Sequence, residues 1–423
     1  MGEFGLIGRK LGHSFSPEVH ALLGGGYPYR LIELEPEAVA PFLESRSFDG
    51  LNVTIPYKRT VLPLCDALSD EARRIGSVNT IVRQNGRLIG YNTDYYGFCR
   101  MAETAGVAFA GKRVLVLGSG GAAATAVTAA RDLGAAAVWT VSRHGACDGV
   151  IDYPTAYREH ADADVIVNAT PVGMYPENGA SPVELSRFPA CTGVLDMIFN
   201  PFRTALLQQA ERQGVPHAGG LVMLVAQAAQ AAALFTGAPV DPAREAQAVR
   251  AVTRARENLI LIGMPGSGKT TIGRLAARKL ERSFVDLDAE IARRFGRTPA
   301  EIIGADGEAA FRRLEAQTAA DIGRGFGQVI AAGGGTVLRQ DAMDALLQNG
   351  RAARVDRPLD RLATDGRPLS MDGAALERLL AAREPLYRRY ASFTVQNDSA
   401  PARAAQAVCR WFTETEEEET CVF

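Results

Sequence analysis

The sequence predicts an α/β protein built on parallel sheets and divided into more than one domain. Short apolar runs alternate with helix-length segments along the chain, and two of those runs end in glycine-rich turns that lead straight into helices. A length of 423 residues also exceeds what a single core organises. No repeated period is present, so the parts read as a fusion of unlike units rather than a duplication.

Residues 1–100 mix apolar runs with Gly and Pro, as in Phe4-Gly5-Leu6-Ile7-Gly8 and Gly50-Leu51-Asn52-Val53-Thr54-Ile55-Pro56. Strands alternating with helices in a small two-layered domain are expected there. A new unit is assigned to residues 101–220. Within it Val114–Leu117 reads as a buried strand, Gly118-Ser119-Gly120-Gly121 as a turn, the Ala-rich stretch to about Leu133 as a helix, and Val138–Val141 as the next strand.

Gly118-x-Gly120-x-x-Ala123 fits the dinucleotide fingerprint of a Rossmann domain, with alanine at its third position. Glycines allow the tight turn and bring the backbone close to a pyrophosphate, and the helix N-terminus faces its charge. Gly118, Gly120, Gly121 and Ala122 are therefore cofactor-binding candidates. NAD would call for an acidic residue after the second strand, but Ser142-Arg143 stands there, a pair suited to the 2′-phosphate of NADP. Asp164–Val167 and Gly193–Asp196 extend the parallel sheet, and Leu221–Phe235 has the length of a helix. Residues about 221–252 are expected to pack back on the first domain, with a connector at 253–257.

Beyond it Leu259–Ile262 reads as a strand leading into Gly263-Met264-Pro265-Gly266-Ser267-Gly268-Lys269-Thr270, which matches the P-loop pattern, with a helix expected from near Thr271. In such a loop backbone N–H groups cradle phosphates, the lysine reaches the terminal ones and the hydroxyl holds Mg²⁺. Gly263, Gly266, Ser267, Gly268, Lys269, Thr270 and Thr271 are the nucleotide-binding candidates. Phe284–Asp288 and Val329–Ala332 supply further strands, so residues 258–412 form a P-loop α/β domain, followed by an acidic tail at 413–423.

Forty-six basic against 48 acidic residues give a formal charge of −2, so no nucleic acid or membrane surface is expected as a partner and anionic ligands must be held locally. Six cysteines without a C-x-x-C pair exclude a disulfide framework or zinc site and suit reduced thiols in a cytoplasm. The N-terminus lacks a basic region followed by an apolar run, and no apolar stretch of about 18 residues occurs. The expected location is cytoplasmic.

After the P-loop come Asp286-x-Asp288, Phe311-Arg312-Arg313-Leu314-Glu315, Gly333-Gly334-Gly335, Arg367-Pro368-Leu369 and Arg383-x-Pro385-Leu386-Tyr387, in that order. The series resembles shikimate kinase across residues 258–412. That resemblance implies that Asp288 binds the acceptor hydroxyls and orients or deprotonates the attacking one, and that Asp286 helps position Mg²⁺ through water, with Thr270 as the other metal-binding candidate. Arg312 and Arg383 would clamp the substrate carboxylate, Gly333, Gly334 and Gly335 would bring backbone N–H groups to the ring, and Arg367 would close over ATP from a lid. Phe311 is either a wall of the acceptor site or a core residue.

Residues 1–252 are similar to shikimate dehydrogenase. The match is carried by His13-Ser14-Phe15-Ser16-Pro17, Asn52–Lys58, Gly76-Ser77-Val78-Asn79-Thr80, Gly90-Tyr91-Asn92-Thr93-Asp94, Asn168–Met174, Asp196-Met197-Ile198-Phe199-Asn200-Pro201 and Met223-Leu224-Val225-Ala226-Gln227. It implies that Ser14, Ser16 and Thr54 bind the substrate carboxylate, that Asn79, Asp94 and Gln227 bind its hydroxyls, and that Lys58 paired with Asp94 stabilises or protonates the developing alkoxide. Ala169 and Thr170 would line the cofactor groove, and Gly220 and Met223 would pack the nicotinamide, with helix core as the other reading of Met223. His13 is assigned a structural hydrogen bond, and Phe199 stands where the family would place tyrosine.

The two resemblances name consecutive reactions. They imply a bifunctional enzyme that uses NADPH to reduce 3-dehydroshikimate to shikimate and then ATP and Mg²⁺ to phosphorylate it. Two other readings stand beside it: an NAD-dependent quinate/shikimate dehydrogenase fused to another small-acid kinase, and a nucleotide-binding regulator without catalysis.

Overall fold

The computed structural model describes residues 3–12, 14–24, 26–143, 149–362 and 373–414. His13, Arg367 and the acidic run Glu416–Glu419 lie outside them. The fold is α/β, and its contacts divide the described residues into two compact units, those up to 174 with 180–252 and 175–179 with 253–414.

The first unit carries two six-stranded sheets among the described residues. One is mixed, in the order Tyr29–Glu33, Phe4–Gly8, Gly50–Val53, Thr80–Gln84, Arg87–Tyr91, Ala67–Leu68. Its central strand Gly50–Val53 is buried throughout and pairs in parallel with Phe4–Gly8 and antiparallel with Thr80–Gln84. Ile7, Leu51, Val53 and Ile81 meet Val39 and Leu43 of the helix Pro36–Ser45 in one core. On the other face a Cβ at Gly50 would fall 2.3 Å from the Phe235 ring, so the helix Gly220–Thr236 packs on this sheet where only glycine leaves room.

The second sheet is wholly parallel, in the order His217–Gly219, Gly193–Asp196, Val165–Asn168, Arg113–Leu117, Ala137–Val141, Val150–Ile151. Strand order reverses between Arg113–Leu117 and Val165–Asn168, which opens a crevice at their carboxyl ends. This is the Rossmann arrangement. Its two outermost strands, three and two residues long, are too short for a periodic signal.

The second unit has a five-stranded parallel sheet, ordered Ser283–Asp286, Gln328–Ala331, Asn258–Ile262, Gly350–Asp356, Ala391–Gln396. Alternate residues of the central strand feed two cores: Ile260 and Ile262 pack with Phe311 and Tyr387, and Leu259 and Leu261 pack with Ile272 and Phe412. Phe311 is thus a core residue that also reaches a cavity wall.

Two local expectations are corrected. The strand expected over Phe284–Asp288 stops at Asp286, because the Asp286 carboxylate accepts the N–H groups of Asp288 and Ala289 at 3.1 and 3.2 Å and starts the helix Leu287–Phe295. The helix after the P-loop begins at Lys269, directly after Gly268 with its left-handed φ of 99°. The helix Pro242–Arg256 extends into the segment 253–257, and the division between the two compact units falls between Val252 and Thr253. Among the described residues no helix is long and apolar enough to cross a membrane.

Candidate active sites

In the first unit the loop after Gly50–Val53 delivers Lys58, and the first turn of the helix Thr93–Thr104 delivers Asp94. Asn92 caps that helix by accepting the Tyr95 N–H at 3.3 Å, while its own amide bonds to Ser77. Lys58 Nζ lies 2.5 Å from Asp94 Oδ2, and the pair is only partly buried, with side chains 31% and 16% exposed. A proton donor held beside its counter-ion yet reachable from solvent is what a general acid requires.

Lys58 and Asp94 face a cavity of about 480 Å³ that also takes Ser14, Ser16, Thr54, Asn79, Gly220, Met223 and Gln227 into its wall. All the substrate-side residues named from the sequence for this half are therefore gathered in one place. The Ser14 hydroxyl donates to Ser16 Oγ at 3.1 Å. Asn79 is buried, with Oδ1 accepting the Thr93 N–H at 2.6 Å and Nδ2 donating to Thr93 Oγ1 at 3.0 Å. Gln227 is steadied by a 2.8 Å bond to the Leu224 carbonyl. The helices carrying Asp94 and Gln227 touch at Gly97, where a Cβ would sit 2.6 Å from the Met223 carbonyl.

Behind the wall, Asn52 Oδ1 meets His20 Nε2 at 3.1 Å and the Tyr29 hydroxyl at 2.7 Å, while Asn52 Nδ2 donates to Thr80 Oγ1 at 3.0 Å. Burial holds His20 down to about 4, so the imidazole is neutral at pH 7. Nothing in the sequence marks this scaffold, since Asn52 stands in its motif as one more polar residue and its partners His20, Tyr29 and Thr80 come from separate segments. Phe199 lines the cavity and packs edge-on against Phe15 at 5.3 Å, an apolar contact at the position where tyrosine was expected.

On the dinucleotide side Gly118 has φ 111°, and a Cβ there would lie 2.9 Å from the Ala169 carbonyl. Among the described residues, no atom beyond the chain neighbours and the helix's own backbone lies within 4 Å of where a Cβ would stand on Gly120 or Gly121, so the start of the helix Gly121–Asp132 is open to a ligand. Ala122 lines the substrate cavity, which joins this turn to the reacting centre. The Thr170 N–H and hydroxyl both donate to Asn168 Oδ1, at 3.0 and 2.7 Å. Gly220 is required because its Cβ would fall 2.3 Å from the Met197 carbonyl. Ser142 is buried at the end of Ala137–Val141, and Arg143 after it is exposed, without an ion pair among the described residues. Open backbone, a helix N-terminus and an unpaired cation fit a phosphorylated dinucleotide.

The second unit gathers its residues round a cavity of about 650 Å³. Gly266, Gly268, Lys269, Thr270 and Thr271 enter from the P-loop, Asp286 and Asp288 from the adjoining strand and helix, Arg312 and Glu315 from the helix Glu308–Gly323, Gly333, Gly334 and Gly335 from the loop after Gln328–Ala331, and Arg383 from Gly373–Tyr390. Gly263 and Ser267 lie behind this wall and shape the loop: Gly263 has φ 145°, and the carbonyl of the buried Ser267 accepts the Asn397 amide at 2.7 Å. Thr270 Oγ1 donates to Asp286 Oδ2 at 2.7 Å. Two adjacent oxygen donors beside a phosphate loop fit Mg²⁺, which takes few protein ligands and completes its shell with phosphate and water.

Burial pushes Asp288 up to about 6; the Lys269 charge opposes this, and Asp286 and Glu315 add to it. Glu315 is fully buried, accepting from Arg312 at 2.8 Å and from Thr336 Oγ1 at 2.6 Å. A Cβ on Gly333 would lie 2.6 Å from Glu315 Oε1 and 2.9 Å from Asp288 Oδ1, and one on Gly335 would collide with the Arg312 guanidinium. Gly334 in turn stands against Pro265, whose Cγ would lie 2.6 Å from a Cβ, so each glycine of the run faces a close neighbour. Arg383 and the Tyr387 hydroxyl both donate to the Gly334 carbonyl at 3.0 Å. Arg357 also lines the cavity and was not singled out from the sequence.

A family model described as the shikimate dehydrogenase substrate binding domain matches residues 6–81, and one described as shikimate kinase matches residues 265–413. A curated relative, the NADP(+) shikimate dehydrogenase of Clostridium beijerinckii, is 36% identical over 252 residues, covering 56% of this chain and 93% of the relative. A solved chorismate mutase/shikimate 5-dehydrogenase fusion from Clostridium acetobutylicum aligns with TM-score 0.57 and 34% identity over 60% of this chain and 97% of that one. Shikimate 5-dehydrogenase from Thermus thermophilus, solved with NADP(H) and shikimate, aligns with TM-score 0.54 and 33% identity over 59% of this chain and 99% of that one.

Proposed function

The chain belongs to the shikimate dehydrogenase family and carries a shikimate kinase domain behind it, and from that premise we propose that it performs two consecutive reactions. It reduces 3-dehydroshikimate to shikimate with NADPH, then transfers the γ-phosphoryl of ATP to shikimate with Mg²⁺, giving shikimate 3-phosphate. The observation that carries the reading is the Lys58–Asp94 contact of 2.5 Å, set in a cavity lined with serine, threonine and amide groups suited to a hydroxylated acid.

In the first reaction Ser14, Ser16 and Thr54 bind the substrate carboxylate, and Asn79, Asp94 and Gln227 hold the hydroxyls. Gly118, Gly120, Gly121, Ala169, Thr170, Gly220 and Met223 would hold NADPH, with Ser142 and Arg143 at its 2′-phosphate, and the cofactor would supply a hydride for the ketone carbon. Lys58 gives its proton to the carbonyl oxygen as negative charge develops there, and Asp94 keeps the ammonium aimed and charged until then.

In the second, Arg312 and Arg383 clamp the acceptor carboxylate and the backbone of Gly333, Gly334 and Gly335 meets its ring. Asp288 orients the attacking hydroxyl and receives its proton as the oxygen joins phosphorus and ADP leaves. Lys269 offsets charge on the terminal phosphates; Mg²⁺, held by Thr270 and Asp286, would neutralise more of it. Arg367, outside the described residues, is assigned to the lid that covers ATP.

The domains that go with these roles are residues 1–100 with the helices of about 221–252 for the first substrate, 101–220 for NADP and 258–412 for the kinase, joined at 253–257. The partners are small molecules, with neither nucleic acid nor membrane, and the location is the cytoplasm. A steady-state assay with NADPH, ATP, Mg²⁺ and 3-dehydroshikimate tests the whole reading. ADP should form only when NADPH is present. ADP release that ignores NADPH, or NADPH oxidation without any ADP, would sink the two-step scheme.

A further inference from the structure

The kinase cavity holds one more cation than the roles above employ. Arg357 directly follows the strand Gly350–Asp356, which pairs in parallel with Asn258–Ile262 so that Arg354 stands opposite Ile262. One residue on, a Cβ at Gly263 would fall 2.4 Å from the Val355 carbonyl, which sets the carboxyl end of this strand against the start of the P-loop. From there Arg357 reaches the wall shared by Gly266, Lys269, Thr270 and Asp288.

The other cations of that wall are engaged. Lys269 Nζ donates to the Gly263 and Met264 carbonyls at 2.9 and 3.0 Å. Arg312 is paired with Glu315 and Glu308, and Arg383 is bonded to the Gly334 carbonyl. Arg357 has no ion pair and no hydrogen bond among the described residues, and its Nε is a buried donor without an acceptor. A guanidinium lodged in a cleft beside a phosphate loop, with its donors unspent, is built to receive a planar or tetrahedral oxyanion.

We infer that Arg357 binds the polyphosphate of the nucleoside triphosphate from the side of the P-loop opposite the acceptor clamp. Arg312 and the Gly333–Gly335 loop enter from the helix Glu308–Gly323 and from the strand on the other flank of Asn258–Ile262, and Arg383, whose helix follows the strand that delivers Arg357, is bonded to that loop at Gly334, so the anions divide between the groups tied to the glycine loop and those beside the P-loop. Acceptor carboxylate goes to Arg312 and Arg383, and nucleotide phosphate goes to Lys269 and Arg357. As charge shifts toward the leaving diphosphate, a fixed guanidinium at that flank stabilises it more than the ground state.

This inference rests on the kinase reading. The test uses the full chain with Arg357→Ala and Arg357→Lys, following phosphorylation of shikimate with ATP and shikimate varied separately. Alanine should lower kcat/KM for ATP by about 10²-fold, the scale of one lost transition-state donor, with KM for shikimate changed less than about twofold; lysine should recover part of the loss. NADPH-dependent reduction should be unchanged in both variants, which reports that the chain is folded. ATP kinetics unaffected by alanine, or a rise confined to the shikimate KM, overturns the assignment. Should the unaltered protein fail to phosphorylate shikimate, the kinase reading falls, and calorimetric titration with ADP still decides: weaker binding by Arg357→Ala supports the role and equal binding removes it.

Discussion

The amide of Asn168 donates to the carboxylate of Asp196 at 3.0 Å, and the two residues are also register partners at the ends of adjacent parallel strands. Asn168 turns its other amide atom to Thr170, while Asp196 accepts the Ile198 N–H at 3.1 Å and the Thr204 hydroxyl at 2.7 Å. One buried pair thus suspends the loop at Ala169 and Thr170 and the loop whose Met197 and Phe199 line the substrate cavity. Every donor to Asp196 is neutral, and burial raises it to about 6.

Asp196→Asn should therefore change how stability depends on pH. Because the folded pKa of about 6 lies above the ordinary 3.8, the native state binds the proton more tightly than the unfolded chain. This contribution is full below pH 3.8 and is lost as pH rises through about 6, on the order of 3 kcal/mol in all. Urea unfolding at about pH 4 and pH 7.5 should show the variant gaining on the parent at the higher pH. A stability gap that does not move with pH would rule this out.

Lys58→Met should disable only the first reaction. The side chain keeps its length but loses the proton and the 2.5 Å contact to Asp94, so reduction should fall by at least about 10²-fold. Phosphorylation of added shikimate should stay within about twofold, since the kinase residues belong to a separate unit. Loss of both activities in a protein with normal circular dichroism would contradict independent sites.

The kinase should titrate with Asp288. A carboxyl raised by burial to about 6 is protonated below that value and cannot accept the hydroxyl proton, so kcat should climb with pH through this range and level off above it. Asp288→Asn should remove that rise and lower turnover by about 10²-fold while NADPH oxidation continues. An unchanged acid limb in the variant would assign the titration to another group.

Arg143→Ala should weaken NADPH selectively. The guanidinium is exposed at the end of the second Rossmann strand, with no carboxylate paired to it among the described residues. A charge-assisted contact with the 2′-phosphate amounts to about 1.5–3 kcal/mol, roughly a 10–100-fold loss in kcat/KM for NADPH and little change for NADH. Equal efficiency with both cofactors in the unaltered protein would dismiss the role.

What the sequence by itself determined was the set of places where chemistry leaves few residue choices. Gly118, Gly263 and Gly268 stand out by their place in the two glycine motifs, where the backbone takes the positive φ that disfavours side chains, and apolar four-residue runs before these motifs declare buried parallel strands. Ser14, Lys58, Asp94 and Gln227 could be named from motifs, although they come from four separate segments; the first sheet and the helix Gly220–Thr236 bring them to one cavity. Burial and pairing were decided by tertiary structure alone. Asp196 reads as one acid among 48 acidic residues until the sheet encloses it beside Asn168 and Thr204. Arg357 reads as one of 46 basic residues until its strand closes against the P-loop and leaves it in the cleft with no ion pair among the described residues. Desolvation and charge balance depend on which distant segments pack together, and a local pattern of residue types carries no record of that.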